Sequence, residues 1–203
     1  MCNYTKMVAF KQNLFFLNDL WYTERKIKCG VKTVENLLIL GAGGYGRTVF
    51  ELAQSLGLFS QIAFLDDKET DAEDVMAHCG AYRRPSLTEG FAYAYPAFGD
   101  NALRFAWLGE LDDAGYKVPT LVHPSAYVSP SATLGQGVVV LPHAVINTGT
   151  EIGAGSIINI GALVDHDCVI GVCCHLAPGA IVKAGNVLPT QTKVDAGIVL
   201  ARK

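Results

Sequence analysis

The chain carries little charge: Asp, Glu, Lys and Arg make up 17% of 203 residues, and the formal net charge is -3. With mild overall acidity, no group of Lys and Arg suggests an electrostatic stripe for a nucleic-acid backbone. The chain also lacks a CxxC pair. Its cysteines, Cys2, Cys29, Cys79, Cys168, Cys173 and Cys174, are scattered. That argues against a zinc knuckle and for free thiols in a cytoplasmic protein, with Cys168, Cys173 and Cys174 as small packing residues. Long apolar runs are missing too. The apolar residues of segment 7–20 are interrupted by Lys11, Gln12 and Asn13, so the segment is too short for a membrane span. Residues 1–34 read as an appended extension without a targeting signal. What the chain has in quantity is glycine, 21 residues, beside Val, Ile and Leu. That is the composition of tightly turned strands rather than of a helical bundle.

One internal period organises the second half. An aliphatic residue recurs at every sixth position: Val122, Val128, Leu134, Val140, Ile146, Ile152, Ile158, Val164, Ile170, Leu176, Val182, Leu188, Val194 and Leu200. Four residues after the aliphatic the side chain is small, as at Ala144, Thr150, Ser156, Ala162, Cys168, Cys174 and Ala180. Gly follows the aliphatic at Gly135, Gly153 and Gly171, where it reads as the residue that permits the turn. Neither a helical period nor simple alternation gives this spacing. A six-residue repeat predicts a parallel β-helix over 120–203, with three hexapeptides per coil and coils about 4.8 Å apart. Open coil ends predict a homo-oligomer.

The preceding segment, 35–119, follows a different rule. Asn36-Leu37-Leu38-Ile39-Leu40 reads as a buried strand, and Gly41-Ala42-Gly43-Gly44-Tyr45-Gly46 fits GxGxxG. A helix is expected from Arg47 to Leu56, ended by Gly57, then a strand at Ile62-Ala63-Phe64-Leu65 that runs into Asp66-Asp67. Strand, glycine loop, helix, strand and acid form one half of a Rossmann-like α/β nucleotide-binding unit. A further strand near Ala97 and a helix from Asn101 to Leu111 complete it. Amides at the helix start are suited to phosphate, and a carboxylate to ribose hydroxyls.

Chemistry concentrates where polar residues interrupt the repeat. In Val164-Asp165-His166-Asp167-Cys168 a His stands between two acids. Asn147 precedes Asp165 by one coil and should stack on it, Asn159 precedes the segment by one hexapeptide, and His175 follows half a coil on. His166 is the candidate general base, with Asp167 fixing its tautomer. Transfer of an acyl group also needs a donor for the developing oxyanion. Backbone N–H groups at Ala184 and Gly185, or the His175 side chain, are the candidates for that donor role, on the side where the acyl donor would bind.

These segments resemble one known family. Leu40 through Gly46, Phe64-Leu65-Asp66-Asp67, His123-Pro124-Ser125-Ala126 and residues 159–185 are similar to the bacterial sialic acid O-acetyltransferases and UDP-4-amino-sugar N-acetyltransferases, which are hexapeptide-repeat enzymes. The resemblance implies a left-handed helix, a homotrimer, and acetyl-coenzyme A as co-substrate with no metal. It implies acetyl transfer to an amino or hydroxyl group of a nucleotide-linked sugar in surface-polysaccharide synthesis. It places His166 as general base, Asp167 as its acidic helper and His175 near the acetyl group. It places Gly43, Gly44, Tyr45, Asp66, Asp67 and Gly99 at the nucleotide sugar, and Asn159 at the acceptor. The family commonly has His where this chain has Tyr45, and usually continues for further coils beyond 187–203. Two other readings share the fold: a non-catalytic nucleotide-sugar-binding subunit, and a zinc hydratase using His143, His166 and His175.

Overall fold

A six-residue period leaves room for one short strand and one turn, and the chain repeats that unit from Leu121 to Leu200. The computed structural model describes residues 35–66 and 90–202. Asp67, the extension at 1–34 and Cys2, Cys29 and Cys79 lie outside the described residues.

Among the described residues the repeat forms fourteen two-residue strands, β4 (Leu121–Val122) to β17 (Val199–Leu200), each ending on one member of the aliphatic series. They stack into three parallel sheets that close a left-handed triangular prism. The first face holds β4, β7 (Val139–Val140), β10 (Ile157–Ile158), β13 (His175–Leu176) and β16 (Lys193–Val194). The second includes β11 (Leu163–Val164), and the third includes β12 (Val169–Ile170) and β15 (Val187–Leu188). Ile157 pairs with His175 and Ile158 with Leu176, one coil apart. Ile146, Ile158, Val164, Leu176 and Val182 fill the prism axis and are fully buried. Each such side chain stabilises the coil by about 1.5–3 kcal/mol.

The small residues do more than fit a corner. Thr150 Oγ1 donates to the Asp165 carbonyl at 2.8 Å and Ser156 Oγ to that of Gly171 at 2.9 Å. Cys168 Sγ and Cys174 Sγ donate to Lys183 and Pro189 carbonyls at 3.3 and 3.1 Å. Each tie joins one coil to the next and engages a part-buried carbonyl. Cys173 departs from the expectation: it is buried outside the prism, where a Cβ on Gly155 would press on its sulfur. The glycines following the aliphatic also have another reason. Gly135, Gly153 and Gly171 do not have positive φ; a Cβ there would strike the backbone of the next coil. The turn conformation falls two residues later, at Gly137, Gly149, Gly155, Gly161, Gly179, Gly185 and Gly197, all left-handed. His143, Asp167, Cys173 and Gln191 take the same conformation without being glycine.

The α/β part begins with β1 (Asn36–Leu40), α1 (Gly44–Leu56) and β2 (Ile62–Leu65). After the gap come β3 (Phe91–Pro96) and α2 (Asn101–Asp113), and the three strands are parallel in the order β2-β1-β3. Helix α1 starts three residues before Arg47, because the residues after Gly43 already take helical geometry; Gly57 ends it with φ 63°. Asp100 caps α2 by accepting from the Leu103 amide at 2.7 Å. The apolar core of this part runs without a break into Leu121, Val139 and Leu141. Among the described residues the α/β layers therefore cover the first prism face and leave the other two open. No helix among the described residues is long and apolar enough to cross a membrane.

Candidate active site

His166 stands at the corner that joins β11 to β12. Its side chain is 48% exposed and lies outside the prism, and Nδ1 meets Asp167 Oδ2 at 2.8 Å. A carboxylate can only accept, so Nδ1 carries the hydrogen and Nε2 keeps its lone pair. Nε2 has no partner among the described residues. The two acids flanking the ring divide the work. Asp165 builds the turn: its Oδ1 accepts from the His166 amide at 2.8 Å and from Asn147 Nδ2 at 3.3 Å. The His166 amide holds this carboxyl below its ordinary range, and the Ala184 backbone adds to the effect. Asp167 orients the imidazole from a left-handed position, φ 57°, which Asp tolerates better than most residues.

The amides expected to meet an oxyanion are already engaged. The Gly185 N–H donates to the His166 carbonyl at 3.0 Å, and the Ala184 backbone serves Asp165. Within the chain these two residues brace the His166 turn instead.

His175 and Asn159 come together on the first face, where Asn159 Nδ2 meets His175 Nε2 at 3.1 Å. Asn159 Oδ1 accepts from the Ile160 amide at 2.8 Å, so its NH2 faces the ring. Nε2 is then the acceptor and Nδ1 carries the hydrogen; Nδ1 is buried and has no hydrogen-bond partner among the described residues. Burial, then the Arg104 and Lys193 charges, lower the His175 pKa, while the Gly99 backbone and Asp195 oppose.

The glycine loop lies at the carboxyl ends of β1 and β3. Gly41 has φ 98° and packs under Phe98, and a Cβ on Gly46 would overlap the Gly41 carbonyl. Gly43 and Gly44 have open space where a Cβ would stand, so their backbone is approachable. Asp66 Oδ2 accepts from the Ala42 amide at 2.7 Å and so fastens the loop. Tyr45 turns inward: its hydroxyl meets that of Tyr95 at 2.9 Å. Burial and the paired oxygen push its pKa well above the ordinary value, and burial pushes Tyr95 to about 12. The phenol of Tyr45 is thus committed to Tyr95 rather than to the open side of the loop.

Sequence reasoning overlooked Tyr95 and Arg104. Arg104 is fully buried in α2 and bonds five backbone carbonyls. No sequence signal marks this, since Asp100 four residues earlier offers an ordinary i, i+4 ion pair. His143, His166 and His175 occupy different corners and faces, and no three His, Cys, Asp or Glu converge among the described residues.

Residues 36–111 match the family described as the PglD N-terminal domain. The acetyltransferase domain of PglB from Neisseria gonorrhoeae FA1090, solved with acetyl coenzyme A, is 33% identical with a TM-score of 0.62, over 82% of this chain and 87% of that one. The chain belongs to the hexapeptide-repeat sugar acetyltransferase family. Two further relatives agree. PerB from Caulobacter crescentus, solved with CoA and GDP-perosamine, is 30% identical with a TM-score of 0.65, over 86% of this chain and 92% of that one. GDP-perosamine N-acetyltransferase of Escherichia coli O157:H7 is 28% identical over 80% of this chain and 76% of its own length. The family's two structural halves are thus both present here, as α/β layers and as coils.

Proposed function

We propose that this chain transfers an acetyl group from acetyl-coenzyme A to the amino group of a nucleotide-linked amino sugar, with His166 as general base. The exposed imidazole held by Asp167 at 2.8 Å carries the reading. In this scheme the neutral amine attacks the thioester carbonyl carbon while Nε2 of His166 takes a proton from the nitrogen. The resulting imidazolium is stabilised by Asp167. Collapse breaks the C–S bond, and the proton passes from His166 to the departing thiolate, leaving an amide and free coenzyme A. The nucleotide diphosphate lies against the amides of Gly43 and Gly44 at the start of α1, with Asp66 and Asp67 at the ribose. Gly99, Asn159 and His175 line the route to the acetyl group. The relatives above that are GDP-perosamine N-acetyltransferases or bind GDP-perosamine favour amine over hydroxyl as the acceptor.

The α/β layers cover the first face, whereas His166 stands between the second and third. One chain therefore presents its base away from its own nucleotide loop. A homotrimer in which neighbouring prisms meet along the His166 corner brings the two together. Exposed Leu163, Val169 and Val187 beside that corner supply the apolar surface. The route of the product, surface-polysaccharide synthesis, is part of the same reading.

The test is a panel of nucleoside-diphosphate sugars with acetyl-coenzyme A, followed by thiol release. Turnover with 4-amino sugars and none with their 4-hydroxy counterparts is expected. Thiol release with the hydroxy sugars alone, or with neither, refutes the proposal.

A further inference from the structure

Arg104 is an unusual buried cation. It is fully enclosed, and among the described residues it forms no ion pair; every acceptor it meets is neutral. Buried charges ordinarily have a partner of opposite sign, because desolvation is costly. Here the guanidinium instead spreads its donors over two parts of the fold. Toward the loop between β3 and α2, Nη1 donates to the Phe98 carbonyl at 2.7 Å and reaches that of Asp100 at 3.4 Å. Toward the coils, Nε donates to Gly155 at 2.7 Å, and Nη2 to Cys173 at 3.0 Å and Cys174 at 3.3 Å. Asn101 Oδ1 holds Nη2 at 2.8 Å, and Asn101 Nδ2 reaches the Gln191 carbonyl one coil further on, at 2.9 Å.

The placement of these acceptors is informative. Phe98 and Asp100 flank Gly99. Cys173 and Cys174 lead directly into His175. One planar group thus grips the residues on both sides of Gly99 and the two residues before His175. A lysine offers a single point of attachment and cannot span the same set.

We propose that Arg104 is a positioning residue of the acyl-transfer site, locking loop 98–100 of the nucleotide layer onto the coil that presents His175. This rests on the reading above that Gly99 and His175 serve the site. The lock keeps the His175 ring and the Gly99 backbone at a set separation. The charge adds a second effect: it opposes protonation of His175, together with burial and Lys193 and against Asp195 and the Gly99 backbone. The ring stays a neutral donor at Nδ1. The same charge favours ionisation of Tyr45 and Tyr95 and of Cys173, each held up by burial.

The experiment compares the parent full chain with Arg104→Lys, Arg104→Met and the milder Asn101→Ala. It reads kcat and both KM values, and follows the His175 ring by NMR against pH without substrates. Circular dichroism of the coil identifies the variants that fold. Arg104→Lys is expected to lower kcat by at least about tenfold, raise KM for the nucleotide sugar and leave KM for acetyl-coenzyme A within about twofold. Asn101→Ala is expected to show the same pattern at about threefold. The His175 midpoint is expected to rise in Arg104→Met, with the ring resonances displaced in all three. Folded variants with parental kcat, KM and ring resonances overturn the proposal. Should neither Arg104 variant fold, Asn101→Ala decides alone: displaced resonances with a lowered kcat support it, and parental values overturn it. A parent that transfers no acetyl group refutes the function instead, and the ring resonances then decide the role of Arg104 by themselves.

Discussion

Asp167 performs two tasks that conflict. Its carboxylate orients His166, yet its backbone occupies a left-handed position that Gly149 and Gly185 fill in the neighbouring coils. Asp167→Gly is expected to relieve the backbone and leave stability unchanged or raised by up to about 1 kcal/mol. Because the imidazole loses its orienting partner, kcat should fall roughly tenfold or more. Thermal unfolding and steady-state kinetics on one preparation check both. His175 supplies a pH effect of definite sign. Its folded pKa lies below the ordinary 6.5, so the unfolded chain binds more protons between the two values and stability rises with pH there. Stability should be complete above about pH 6.5 and decline as pH falls through that window. In His175→Asn that part of the slope should vanish, as melting temperatures from pH 7.5 to 5 will show. The pairing of His166 with Asp167, and of Asn147 over Asp165, was legible because each follows from spacing. The commitments of Arg104 were not. Its acceptors are backbone carbonyls 51, 69 and 70 residues away in sequence, and carbonyls carry no residue signature.

The elements of the fold were mostly readable, since the coils obey a strict period and the α/β part follows the order strand, glycine loop, helix, strand. Every coil strand ends on its aliphatic, and β1, α1, β2 and α2 lie within a few residues of expectation. What spacing could not reveal is why each glycine is there. In GxGxxG only two positions are demanded by the fold. A methyl group on Gly46 overlaps the Gly41 carbonyl between loop and helix. Gly46→Ala should therefore destabilise by about 3 kcal/mol or push β1 and α1 apart. Gly43→Ala and Gly44→Ala meet open space and should change stability by less than about 0.5 kcal/mol. If the diphosphate lies there, they should instead raise KM for the nucleotide sugar. Urea unfolding and KM measured together separate the two kinds of glycine. The αL column was likewise missed as a pattern, because four of its members, His143, Asp167, Cys173 and Gln191, are not glycine.

Among the described residues, the α/β layers occupy one face of the prism and leave the other two bare. Val187 is 60% exposed and neighbours Val169 on the third face, a surface that burial between subunits would stabilise. Sedimentation of the parent is expected to give a trimer, and Val187→Glu should shift it toward monomer with the coil's circular dichroism preserved. Loss of activity should accompany dissociation, because in the proposed trimer the base of one chain serves the nucleotide loop of a neighbour, and a lone chain holds its own two apart. On the assembled trimer, the most direct measurement is kcat of His166→Ala with an amino sugar and acetyl-coenzyme A at saturation. A fall of about 10²–10⁴-fold with sedimentation and melting temperature unchanged is predicted. A folded, trimeric His166→Ala within about threefold of the parent would contradict the account.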